Sequence, residues 1–78
     1  MSKMTKKAFQ DLLSVAMDES RSVFETTIAI KGLVAGVNSV CPGLIPSNLQ
    51  VTNVDDIAYI AKIIASHYGE ILANSSDS

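Results

Sequence analysis

Tryptophan is absent from this chain, and one cysteine, one histidine, two prolines, two phenylalanines and two tyrosines are spread over 78 residues. A single cysteine excludes an intrachain disulfide framework and a cysteine-built zinc site. A single histidine excludes a multi-histidine metal centre, and no cofactor motif occurs. Basic residues are scarce: six Lys and Arg against eight Asp and Glu give a net charge of −2. A general nucleic-acid binder needs a basic surface to displace counterions from phosphates, so no nucleic-acid partner is expected. Long apolar runs are missing as well. Ile28–Val40, the best, has 13 residues and contains Lys31 and Asn38, well short of the roughly 20 that a membrane span requires. Lys3, Lys6 and Lys7 imitate the start of a secretory signal, but Gln10 and Asp11 interrupt what would be its apolar segment. The lone thiol suits a reducing compartment, and cytoplasm is the expected location.

What the chain does have is aliphatic. Hydrophobic residues make up 47%, mainly eight Ile, eight Ala, seven Val and six Leu. That is globular rather than disordered composition, and 1–78 reads as one small domain. A chain of this size buries only roughly 60% of its unfolded surface. With disulfides excluded, self-association is the expected additional source of stability.

Periodicity points to helices. From a Thr5 cap, Phe9, Leu12, Leu13, Ala16 and Met17 fall on one helical face. Asp18–Ser22 is wholly polar and allows two readings. Ser22 and Glu25 have capping-box spacing, which would start a new helix. Alternatively, the steps Phe9, Leu13, Ala16, Ser20, Val23, Thr27, Ile30 continue without Gly or Pro, which favours one continuous or gently kinked helix ending near Asn38. β-Branched residues are dense between Val23 and Ile30, so a strand paired with Leu49–Thr52 is the competing possibility. Gly32 and Gly36 either admit a close neighbour or merely loosen the helix. Cys41-Pro42-Gly43 and Pro46-Ser47-Asn48 are turn signals in a long connection, with Leu44, Ile45 and Leu49 expected to pin it to the core. The last helix starts at a Thr52 or Asn53 cap with Asp55 and Asp56 in its first turn. It carries the stripe Val54, Ile57, Ala58, Ala61, Ile64, Ala65, Tyr68, Ile71, Leu72, and Ile60 widens it. Residues 1–4 and 74–78 are expected to be disordered.

The resulting expectation is an all-α fold: two long antiparallel helices, the first kinked or split near 18–22, forming a helical bundle through dimerisation. An unbroken helix from Thr5 to Asn38 would be about 51 Å long. A compact monomer of this size has a radius of gyration of only about 11–12 Å. Such a helix would expose Phe9, Leu13, Val23 and Ile30 for a second copy to cover.

Chemistry-bearing residues are few. Cys41 and His67 are the obvious nucleophile and base, yet no motif surrounds either; Cys41 reads better as a small core residue. Asp55 and Asp56 fit dipole compensation better than metal binding, and they would repel phosphates if this helix were to read DNA. Lys3, Lys6 and Lys7 at a helix start are the candidate anion site. Tyr59, Ile63, His67 and Tyr68 on the last helix are the candidate interface, since tyrosine packs its ring while its hydroxyl stays hydrogen-bonded. The expected function is non-enzymatic: a homo-oligomer that binds another protein as an adaptor, inhibitor or assembly factor. The alternative is a module holding an anion or nucleotide between subunits.

Overall fold

Helix boundaries in this chain are set where polar side chains take over from the backbone ladder. The computed structural model describes residues 3–77 and contains α1 (Lys6–Ala16), α2 (Val23–Val40), α3 (Val54–Ser66) and α4 (Tyr68–Asn74). Among the described residues there is no strand. The fold is all-α, and Val23–Ile30 is helical despite its β-branched content.

Two long helices do not form; each expected one is divided. The first breaks at the polar segment. Asp18 turns its carboxylate on the local backbone, accepting from the Ser20 amide at 3.0 Å and the Ser20 hydroxyl at 2.7 Å. Such side-chain bonds compete with helical continuation. Ser22 then restarts the ladder with a complete capping box, its hydroxyl accepting from the Glu25 amide at 3.1 Å while Glu25 accepts from the Ser22 amide at 3.3 Å. The continuous helix over 5–38 is therefore corrected to α1, a turn and α2. The second break is the single residue His67, with φ −115° and ψ 21°. It redirects the chain so that the Tyr68 ring meets Phe9, with centroids 5.3 Å apart.

α1 packs most extensively against α2. Phe9, Leu33, Val37, Ile60, Ile64 and Ile71 form the centre of the core. Gly36 is required by a close approach: a Cβ there would overlap the Met4 sulfur, and at Gly32 it would meet Leu12 Cδ2 at 3.2 Å. The small residues thus admit a neighbour from the same chain. The 41–53 connection is three consecutive turns, closed by bonds from Leu44, Leu49 and Asn53 to Cys41, Pro46 and Gln50. Ile45 is buried, and Leu44, Leu49 and Val51 pack on the core. Gly43 takes φ +85°, a conformation that glycine adopts without strain. Asn53 caps α3, accepting from Asp55 and Asp56 amides at 2.9 and 3.2 Å.

The ends differ from the expected disorder. Met4 is buried, and its amide donates to Ser39 Oγ at 3.2 Å. Ser76 donates to the Met4 carbonyl at 3.0 Å, and Lys6 donates to the Ser76 carbonyl at 2.9 Å. These bonds make a parallel bridge between Thr5 and Ser76. Buried Ser75 donates its hydroxyl to the Ile71 carbonyl at 2.8 Å. The polar tail is held because its hydroxyls and amides find backbone partners. Residues 1, 2 and 78 lie outside the described residues.

Breaking both helices lets the chain bury its own stripe. The radius of gyration is 11.6 Å, and Phe9 and Ile30 are 0% and 6% exposed. Neither needs a second copy to cover it, which corrects their assignment to an interface. α2 also revises the reading of apolar runs: at 18 residues with mean hydropathy 1.2 it is long and apolar enough to cross a membrane by those two measures. In this fold Ala29, Ile30, Leu33, Val37 and Val40 of α2 are buried.

Candidate functional site

The most developed concavity lies where α3 stands away from α1 and α2. The α3 face that carries Ile57, Ala58, Ala61 and Ala65 offers mostly methyl-sized side chains, too short to close the gap. The result is an apolar groove of about 650 Å³. Leu33, Ile60 and Ile64, all fully buried, line its deepest part. Leu13, Ala16 and Met17 contribute from α1, Thr26 and Ile30 from α2, and Tyr68 from α4. The Tyr68 ring is fixed by its tilted stack on Phe9, and its hydroxyl accepts from Gln10 Nε2 at 3.5 Å. Lys62 is the one charged residue in the wall. A shallower depression of about 450 Å³ shares Ala16, Met17, Thr26 and Ile57 with the groove, and adds Asp18, Glu19, Arg21 and Val23.

A second apolar feature is exposed rather than concave. Met17, Val23, Phe24 and Ile28 are 73%, 83%, 74% and 53% exposed. Phe24 and Ile28 are one turn apart on α2, while Met17 and Val23 share the shallow depression. Beside them sits the charged cluster at the α2 start. Arg21 Nε donates to Asp18 at 3.2 Å and Arg21 Nη1 to Glu25 at 3.3 Å. Hydrogen bonds from Ser20, then from Arg21, hold the Asp18 carboxyl below its ordinary value of 3.8. Bonds from Ser22, then Arg21, hold Glu25 below 4.5.

The expected interface residues do not converge. Tyr68 lines the groove. Tyr59, half exposed, lies on another flank of α3, and Ile63 packs against the core. His67 Nδ1 is 3.3 Å from Glu70 Oε1. Leu13 lines the groove, and Val23 stands free beside it. The basic start of α1 is occupied from within the chain. Lys6 pairs with Asp77 at 2.6 Å, and this bond lowers the Asp77 pKa; Lys7 pairs with Asp11 at 3.0 Å. The Ala8 amide is taken by the Thr5 hydroxyl at 3.0 Å and the Lys6 amide by Ser76. Only Lys3 of the three lysines is left without an ion pair among the described residues. Cys41 is buried in the core with the Asn74 amide 3.6 Å from its sulfur, and no hydrogen bond joins it to His67. Among the described residues no three His, Cys, Asp or Glu side chains cluster as a metal site.

Periodicity alone did not reveal the groove. A signal was present: Ala58, Ala61 and Ala65 are small residues at three- and four-residue steps, flanking the larger Ile57, Ile60 and Ile64. Comparison with family models, curated proteins and solved structures finds no match.

Proposed function

We propose that the protein is a non-enzymatic binding protein. It acts by joining another protein chain, in the simplest case its own copy, through the start of α2. The observation that carries this reading is the exposure of Met17, Val23, Phe24 and Ile28 within 12 residues. Large apolar side chains clustered on a surface favour association, because burying each removes apolar area from water. Phe24 and Ile28 give a helical ridge of the kind that packs against a second helix. Two copies pairing along this ridge would form the helical bundle as a dimer. The charged cluster of Asp18, Arg21 and Glu25 borders the ridge as a polar rim.

The test is the double variant Phe24→Ser, Ile28→Ser. Both residues are exposed, so the variant keeps its helicity. Light scattering at micromolar concentration is expected to show a parent mass near twice 8.3 kDa and a monomeric variant. Equal masses for the two proteins would overturn self-association through this ridge. Co-sedimentation of the parent, but not the variant, with phospholipid vesicles would replace a protein partner by a membrane surface.

A further inference from the structure

We propose that the groove between α1, α2 and α3 is a binding site for a single long-chain carboxylate, the chemistry of a fatty acid, with its anionic end at Lys62. The inference does not depend on the α2 ridge. It starts from the mismatch between apolar lining and open space. Leu33, Ile60 and Ile64 lie at the bottom of a space of about 650 Å³, within the range of small-molecule sites.

Lining chemistry suits a thin apolar occupant. A flexible unbranched chain can follow the crevice beside α3, whose walls are almost wholly apolar. The alanines at 58, 61 and 65 keep that path open.

Charge decides the head group. Lys62 is the only charged wall residue, and no carboxylate among the described residues lies within ion-pair distance of its ammonium. The shallow end is lined by Asp18, Glu19 and Arg21, and its one cation is already paired with Asp18 and Glu25, so the balance there is negative. An anionic head is repelled there and attracted at Lys62, where a carboxylate would accept charge-assisted hydrogen bonds. A cationic amphiphile is repelled at Lys62, and an alcohol accepts a weaker hydrogen bond there than a carboxylate does.

The experiment is calorimetric titration of the full chain with octanoate, decanoate and dodecanoate below their micellar concentrations, with dodecanol and dodecyltrimethylammonium as controls. Each methylene buried in the groove tightens binding about fourfold, so dodecanoate is expected to bind up to about 200-fold more tightly than octanoate. Both controls are expected to bind at least tenfold more weakly than dodecanoate. Lys62→Glu, at an exposed position without side-chain hydrogen bonds, should keep the parent melting temperature and weaken dodecanoate at least tenfold. Ala61→Trp, which places an indole in the groove, should abolish binding. Affinity independent of chain length overturns the site, as does equal binding of the controls. Lys62→Glu binding like the parent removes the assigned head-group position and with it the proposal. A groove closed by a second copy would bind no dodecanoate, which also overturns it.

Discussion

Gly36 and Gly69 are both helical, yet a methyl group would act on them in opposite ways. At Gly36 the new Cβ overlaps the Met4 sulfur, with Met4 Cγ and Cβ also close at 3.2 and 3.4 Å. Met4 Cβ is held in place by backbone bonds to Ser39 and Ser76, and its thioether end can rotate away only by giving up its place in the core. Overpacking of this kind costs about 1–3 kcal/mol, offset by up to about 1 kcal/mol of helix propensity. Gly36→Ala is therefore expected to destabilise by about 1–2 kcal/mol. At Gly69 nothing lies within 4 Å of the added Cβ, and Gly69→Ala should stabilise by about 0.5–1 kcal/mol. Urea unfolding of the two variants checks both signs; equal shifts would mean that the Met4 contact does not discriminate between them. At this scale the sequence offered both roles for Gly36. Its neighbour proved to be Met4, 32 residues earlier in the chain, and spacing along one helix carries no information about such a contact.

At the scale of elements, the start of α2 shows what was legible and what was not. The capping box was visible as Ser22-x-x-Glu25, and the structure forms it. The break itself was ambiguous because the three-four spacing of apolar residues runs through it. What settled the competition was a side-chain bond from Asp18 to its own turn, together with the burial gained when α1 folds back on α2. Likewise His67 gave no breaker signal, being neither Gly nor Pro; the Phe9–Tyr68 stack and the burial of Ile71 accompany that bend. Ser22→Ala should cost about 1 kcal/mol, lowering Tm by roughly 4–8 °C for a domain of this size. Acid should act on the same place. The Asp18 and Glu25 pKa values are depressed in the fold, so their stabilisation is full above the ordinary carboxylate values. It is lost as pH falls through those values toward the folded ones. Relative to the intrinsic exchange rate at each pH, which itself slows in acid, protection of the Ser22 and Glu25 amides is expected to fall below about pH 4 before that of the core. A loss of protection uniform across the chain would contradict this local fraying.

For the molecule as a whole, helix type followed from periodicity, as did Phe9, Ile30, Ile60, Ile64 and Ile71 of the core, but compactness did not. Leu33 lies off the expected stripe, and Val54, Ala58, Ala61 and Ala65 on it are exposed. Reading 5–38 as one rod forced its apolar stripe outward and required a second copy to cover it. Folding the rod in half satisfies Phe9 and Ile30 inside one chain and moves the uncovered apolar surface to the new corner at Met17, Val23 and Phe24. The clasp of Met4, Lys6, Ser76 and Asp77 completes this closed arrangement. Polar tails give no apolar pattern, so a pairing across 71 residues left no trace in periodicity.

That clasp holds the first and last described segments side by side. Thr5 and Ser76 run in parallel, so the chain leaves the bridge in opposite directions at its two ends, and a flexible peptide of several residues that turns back along the bridge can splice tail to head. The exposed stretch at Glu19 and Ser20 then becomes a place to cut, since nothing buried depends on continuity there. A circularly permuted chain beginning at Ser20 and ending at Glu19 should recover the parent helical signal. Full cyclisation without a cut should raise Tm by removing disorder from the unfolded ensemble rather than by adding any contact. A permutant that stays unfolded would show that the order in which α1 and α2 are connected, and not only their packing, is needed to reach this fold.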